Sequence, residues 1–307
     1  MKILITGGAG TLGSNIIERL YKNKSVDILC IDNFQTGSRK NISFFPSDKI
    51  IEGSVSDRVL LENVFKRFSP EIVIHSAASY NDPNNYYVDA QTNILGAINI
   101  ADFSKKYRIS KVINFQTALC YGIPQSNPIP VEHQLNPFTS YGMSKTFGEN
   151  YMAKMNIPLI SLRLANICSK NLAIGPIPTF YKRIKENKGC FYTKTERDFL
   201  DFDDFFDLLK TILFNSDQLG FYNVSTGISN SIKDIFDKVK VYVGQDKYKA
   251  ELREINQDDV PKIVLDSSLT TQVFGWKPKI SFDEMIRKQL EYYDQSGIIE
   301  IHSHFKN

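Results

Sequence analysis

The sequence has little cysteine, almost no excess charge and no long apolar run. Its four cysteines, Cys30, Cys120, Cys168 and Cys190, are far apart and lack the paired spacing of a metal site. They read as reduced, buried thiols of a cytoplasmic protein. His302 and His304 stand in a polar tail, where solvated side chains rather than a metal pair are expected, so no metal is expected. A formal charge of +3 is too small to argue for nucleic acid, though it suits an anionic small substrate. Charges or turn residues break the apolar runs well before membrane-spanning length, which argues against a membrane protein. Met1-Lys2 leads straight into the strand-like Ile3-Leu4-Ile5, so no signal peptide is expected. Internal repeats, low-complexity tracts and a Gly/Ser/Pro-rich linker are missing as well. What remains is 42% hydrophobic and 23% charged, the make-up of a soluble globular enzyme. A length of 307 residues predicts one large domain or two intimate ones.

The first half alternates between two periods. Short Val/Ile-rich runs at 3–6, 26–31, 50–51, 72–75, 112–115 and 159–162 suit buried parallel strands. Between them Leu12, Ile16, Ile17 and Leu20 fall at helical spacing, as do Leu60, Leu61, Val64 and Phe65. Longer helices are predicted over 86–107 and 140–154. This alternation predicts an α/β fold with a doubly wound parallel sheet. Past about Ile167 the pattern loosens. Gly175-Pro176-Ile177-Pro178 marks a loop before a helix near 179–188, and further helices are predicted near 203–214 and 231–243. Residues 1–166 are expected to form a dinucleotide-binding domain, joined by some later segments. Residues 167–307 are expected to form a smaller α/β substrate domain on the open edge of the sheet, with substrate in the cleft between the two.

Gly7, Gly10 and Gly13 follow the first strand directly and open the first helix. Glycines there permit a tight turn, backbone approach to a pyrophosphate, and close packing of helix on strand, while the helix N-terminus attracts phosphate. The fold is therefore expected to be Rossmann-type. A nucleotide-triphosphate loop needs lysine after its last glycine, and Ser14 stands here instead. Asp32 ends the second strand, 19 residues after Gly13. A carboxylate there accepts from an adenosine ribose and repels a 2′-phosphate. Asn33 and Phe34 follow it rather than Arg or Lys, which favours NAD over NADP. A turn or cap aspartate is the plainer reading of Asp32 taken alone.

The chemistry is carried by Tyr141 and Lys145, in Ser140-Tyr141-Gly142-Met143-Ser144-Lys145. A free tyrosine has a pKa of about 10, too high for a general base near neutrality. An ammonium one helical turn away stabilises the phenolate, and so does a positive nicotinamide ring. Thr117 ends the fifth apolar run, at the carboxyl edge where open α/β sheets bind ligands. Its hydroxyl can hold a reacting alcohol and share its proton with Tyr141. Alone, each motif has a plainer reading: a surface tyrosine beside a solvated lysine, or a threonine capping a turn. Their order and spacing downstream of the glycines give the combination its weight.

With these pieces in place, the chain resembles an extended short-chain dehydrogenase/reductase of the NAD-dependent nucleotide-sugar epimerase/dehydratase family, over nearly its whole length. The likeness includes His75-Ser76-Ala77-Ala78, Asn93-Ile94-Leu95-Gly96, Leu162-Arg163-Leu164-Ala165-Asn166, Arg197-Asp198-Phe199 and Tyr222-Asn223-Val224. The resemblance implies that Asn33, Thr36 and Gly37 bind the adenosine phosphates, and that Ala77, Ala78 and Asn93 line the cofactor cleft. It adds Thr11, Leu12, Ser54, Val55 and Leu164 to the cofactor site and Ser79 to the substrate site. Ser54 departs from an aspartate common in the family, and nearby Asp57 reads as a helix cap. Asn166 and Arg197 are implied to grip the substrate diphosphate, a task that suits the planar guanidinium fork. Ala118-Leu119 follow Thr117 where similar 4,6-dehydratases carry an Asp-Glu pair, which argues against dehydration.

The run 114–122 and the segments 163–166 and 174–181 resemble bacterial O-antigen and capsule epimerases more narrowly. The leading expectation is C4 epimerisation of a nucleotide-diphosphate sugar through a 4-keto species. The alternatives are a net 4-dehydrogenase, for example on a GDP-heptose, and a non-catalytic NAD sensor. By the same resemblance, the helices over 86–107 and 140–154 would pair across a two-fold axis in a homodimer.

Overall fold

The computed structural model describes residues 1–80, 82, 84–256 and 259–298, so His302 and His304 lie outside the described residues. The chain divides into two compact units. The first comprises Met1–Cys120, Pro137–Arg163 and Asp217–Tyr222; the second comprises Tyr121–Asn136, Leu164–Ser216 and the chain from Asn223 onward.

The first unit is built on β1 (Lys2–Thr6), β2 (Asp27–Asp32), β3 (Ile50–Glu52), β4 (Ile72–His75), β5 (Lys111–Thr117) and β6 (Leu159–Leu164). These strands and Gly220–Val224 form a seven-stranded Rossmann-type sheet in the order Gly220–Val224, β6, β5, β4, β1, β2, β3. Ile3 pairs with Ile28 and Ile72, and His75 with Asn114, in parallel registers. Ile3, Leu4 and Ile5 are all wholly buried, so both faces of β1 are covered, as expected of a doubly wound sheet. On one face, α2 (Arg58–Phe68) and α4 (Gly96–Lys106) pack Leu61, Phe65, Ile100 and Phe103 against Leu4, Ile31, Val73 and Val112. Burying each such side chain contributes about 1.5–3 kcal/mol. Asp57 caps α2 by accepting from the Leu60 amide at 2.9 Å.

The long helix predicted over 86–107 is not uniform. It runs as α3 (Tyr86–Asp89), a π-helical segment at Ala90–Leu95, and then α4. By contrast, α5 occupies Ser140–Lys154, the span its sequence predicts. Thr139 caps it by accepting from the Gly142 amide at 3.0 Å.

The second unit holds the parallel pair Asn166–Cys168 and Phe199–Asp201, and a second parallel pair, Cys190–Thr193 with Ala250–Arg253. Its helices include Pro176–Lys185, Ile232–Tyr242 and Phe282–Ser296, whose Ile184, Phe236 and Leu290 share one core with Phe199. The first of these starts at Pro176, earlier than the expected 179. Gly175 makes the turn at φ +93, and a proline is tolerated in the first helical turn because its missing N–H has no partner there anyway. All four cysteines are buried, and none forms a disulfide. Among the described residues, no helix is long and apolar enough to cross a membrane.

Candidate active site

Most of the expected site residues gather at the carboxyl edge of the sheet in the first unit. Gly7, Gly10, Thr11, Leu12 and Gly13 form the β1 turn and the opening of α1 (Thr11–Leu20). The glycines differ in how strictly they are required. Gly7 adopts φ +68, and a Cβ there would lie 2.6 Å from the Ala77 amide nitrogen. A Cβ on Gly13 would lie 2.2 Å from the Gly7 carbonyl oxygen. On Gly10 it would meet only that oxygen, at 3.3 Å. Gly37 also lies close to this turn, because its Cβ would fall 2.8 Å from the Ala9 carbonyl carbon. Gly10 caps α1 with no side-chain hydrogen bond, which leaves the helix N-terminus able to attract phosphate.

Asp32 is buried at the end of β2. Its two oxygens accept from the Ala9 and Phe34 amides, both at 2.8 Å. Burial pushes its carboxyl above the usual range, and those two bonds pull it back. Asp32 therefore shapes the turn and faces the glycine loop at once. Asn33 accepts from the Gln35 amide at 3.2 Å, and Thr36 lies near the Tyr80 hydroxyl. Ser54 accepts from the Ser56 amide at 3.1 Å, just before the buried Val55.

After β4 the chain continues through Ala77, Ala78 and Ser79. Thr6 anchors this stretch, its hydroxyl bonding to His75 Nδ1 at 2.8 Å and accepting from the Ala77 amide at 3.3 Å. Asn93 clamps Ser79 by accepting from its amide and donating to its carbonyl, both at 2.9 Å, and also donates to Ser144 Oγ at 2.9 Å. The Ser79 hydroxyl donates to the buried Asp89 at 2.8 Å, and the Ser140 hydroxyl donates to the same carboxylate at 2.5 Å. Asn93 and Ser79 thus hold the wall of the site to the start of α5.

The three reactive candidates lie together. The Thr117 hydroxyl lies beside the Tyr141 phenol and accepts from the Leu119 amide at 3.2 Å, so it caps a turn as well as facing the tyrosine. Burial, then Tyr80 and Asp89, push the Tyr141 phenol up, and the Thr117 hydroxyl pulls it down. Burial pushes Lys145 down to about 8, against the pull of Glu149. His75 is pushed down to about 3, first by burial and then by Lys145, and stays neutral.

Sequence reasoning missed several supporting residues. Gln116, 2% exposed, accepts from the Thr117 amide at 2.7 Å and donates to the Lys145 carbonyl at 2.9 Å, joining the two reactive segments. Tyr80 packs edge-on to Tyr141 with ring centroids 6.1 Å apart. Gly142 and Gly148 let α5 approach its neighbours: a Cβ would lie 2.9 Å from the Leu119 carbonyl oxygen at one and 2.3 Å from that of Asn93 at the other. These two did carry a signal, because glycine inside a helix costs about 1 kcal/mol relative to alanine and calls for a reason.

Leu164, Asn166 and Arg197 belong to the second unit. Asn166 is exposed and donates from Nδ2 to the Asp198 carbonyl at 3.0 Å. The Arg197 guanidinium pairs with Asp259 and donates to the Glu196 carbonyl at 2.8 Å. Strand pairing sets Phe199 beside Asn166, so the two candidate diphosphate residues are close in register. Between them Asp198 is buried and accepts from the Thr226 and Gly227 amides at 3.0 and 2.8 Å, with burial pushing its carboxyl up to about 6.

Residues 3–225 match the model of the NAD dependent epimerase/dehydratase family. The putative UDP-glucose 4-epimerase of Methanocaldococcus jannaschii is 31% identical over 304 residues, covering 94% of this chain and 97% of its own. The Bordetella bronchiseptica enzyme WbmG, crystallised with NAD, is 48% identical with a TM-score of 0.92, covering 100% of this chain and 98% of its own. The same enzyme crystallised with NAD and UDP matches with a TM-score of 0.91 at 48% identity, covering 99% of this chain and 97% of its own.

Proposed function

Because the chain belongs to the NAD-dependent epimerase/dehydratase family, we propose that it oxidises a nucleotide-diphosphate sugar at carbon 4 and returns the hydrogen to the opposite face. The net reaction is a C4 epimerisation, in bacterial surface-polysaccharide biosynthesis in the cytoplasm. The observation that carries this reading is the placing of the Thr117 hydroxyl beside the buried Tyr141 phenol, with Lys145 one helical turn further along α5. Tyr141 takes the proton of the 4-hydroxyl, Thr117 holds that oxygen, and the Lys145 ammonium favours the phenolate. Asn166 and Arg197 hold the diphosphate through turnover. Ala118 and Leu119 bring neither acid nor base, which speaks against dehydration.

NAD is the family's cofactor, and the residues here fit it. Gly7 and Gly13 keep the turn tight because a side chain at either would strike main-chain atoms, the opening of α1 has no side-chain cap and would attract phosphate, and each Asp32 oxygen has further lone pairs for a ribose hydroxyl. Bound there, NAD supplies the acceptor and donor of hydride at carbon 4. WbmG was crystallised with UDP, so uridine is the first base to try. Proton NMR of the enzyme with NAD and a panel of UDP-, GDP-, CDP- and dTDP-sugars is expected to reveal a new C4 epimer with no net NADH. A 4-keto product matched by NADH would make it a net 4-dehydrogenase. NAD binding without turnover of any sugar would leave a sensor and overturn the reading.

The active unit is proposed to be a homodimer. Tyr86, Tyr87, Leu95, Met143, Phe147 and Tyr151 are exposed along the 86–95 segment and α5, with Tyr87 at 72% and Phe147 at 54%. A second copy related by a two-fold axis would bury such a patch against itself. Sedimentation at micromolar concentration is expected to give a dimer, and the Phe147→Asp variant a monomer. A monomeric parent protein contradicts this.

A further inference from the structure

The face of α5 that carries the reactive pair continues one turn beyond it. Tyr141, Lys145 and Glu149 recur at intervals of four residues, so they share one side of the helix. Lys145 is 4% exposed and Glu149 1%. The Glu149 carboxylate is fixed from β6: it accepts from Ser161 Oγ at 2.6 Å and from Arg163 Nη2 at 3.0 Å. Asn114 of β5 donates to that serine at 2.9 Å, and the Arg163 guanidinium lies 5.2 Å from the centre of the Phe221 ring. A buried ion pair of this kind gives little net stability, because desolvation offsets its attraction. Its fixed negative charge, however, sits one turn from a buried ammonium.

We propose that Glu149 is a positioning residue that acts through Lys145, holding it in its ammonium form, with Ser161 and Arg163 holding the carboxylate in place. This rests on the reading of Tyr141 and Lys145 as reacting groups. The other ionisable groups around the pair are accounted for. His75 on β4 is neutral and cannot supply the counter-charge. Asp89 on α3, Tyr80 and Cys120 act on Tyr141, all against its ionisation. On β5, Gln116 and Thr117 are uncharged. Burial works against the charge on Lys145, and Glu149 is the group that supports it.

The variants Glu149→Gln, Glu149→Gln/Arg163→Met and Arg163→Met separate this role from a structural one. The double variant also removes the guanidinium that the single change would strand. Two readouts are needed: the pH profile of kcat, and the phenolate absorbance of Tyr141 with NAD present, measured against Tyr141→Phe. The second does not depend on the sugar. Lys145 loses its charge as pH rises through its pKa, so activity falls on that limb. Both Glu149 variants are expected to bring the limb down by about one pH unit and to raise the Tyr141 midpoint. Arg163→Met keeps the carboxyl and its Ser161 bond while removing one holder, so its shifts should be smaller than those of the Glu149 variants. Unchanged values in the Glu149 variants, or equal shifts in all three, overturn the proposal. Unimpaired turnover by Tyr141→Phe would sink the assignment of Tyr141 instead, and the titration would still report on Glu149.

Discussion

Tyr141→Phe is expected to lower kcat by at least about 10³-fold, within the range for loss of a positioned acid–base group. The change removes one oxygen. The ring keeps its edge contact with Tyr80, α5 keeps its Thr139 cap, and Gly142 stays close to Leu119. Melting temperature and NAD affinity should therefore match the parent. The Thr117 hydroxyl still accepts from the Leu119 amide. It is not expected to replace the base, because a free hydroxyl is a far weaker one. Single-turnover measurements with saturating NAD and sugar isolate the proton-transfer step. A variant within tenfold of the parent would remove Tyr141 from the chemistry.

The second large effect comes from backbone packing. Gly13→Ala would set its methyl 2.2 Å from the Gly7 carbonyl oxygen and 2.6 Å from the Gly8 Cα. Both are main-chain atoms, so no side chain can swing away and α1 must move off the turn that follows β1. We expect a destabilisation of about 3 kcal/mol, the upper end of the usual cost of overpacking. NAD affinity should fall by about a hundredfold or more as the helix N-terminus is displaced. Gly10→Ala is the contrast. Its single 3.3 Å contact and φ of −74 predict a change in stability below about 1 kcal/mol. Thermal denaturation and NAD titration of both variants check this, and equal losses at the two positions would show that the close contacts do not rank these glycines.

Much of this was legible in the sequence, for local reasons. Helix α5 shows its length and its spacing of four within a single segment, and the residues of the glycine turn are sequential. Thr117 was found because a strand ends there. The supporting network was not legible, since its partners are remote. Glu149 reads as one more helical carboxylate until Ser161 and Arg163, 12 and 14 residues on, close around it. Gln116 reads as a polar interruption of a strand until its amide reaches Lys145, 29 residues away. Asp89 looks like a surface acid but is 1% exposed between Ser79 and Ser140. The glycine pattern also overstated its own uniformity, since spacing cannot tell a position that forbids a methyl from one that tolerates it.

The π-helical segment at Ala90–Leu95 has a consequence for how this chain can change over evolutionary time. An α-helix advances about 100° per residue, and a π turn takes up one residue more than an α turn, so the segment resets the rotational phase between α3 and α4. In this phase Asp89 points at Ser140 while Ile100 and Phe103 lie in the core. Loss of a single residue from the stretch would leave an ordinary helix with Asp89 and the core residues of α4 still in phase, whereas gain of a residue would turn Asp89 away from α5. The segment should therefore tolerate loss of one residue far better than gain of one.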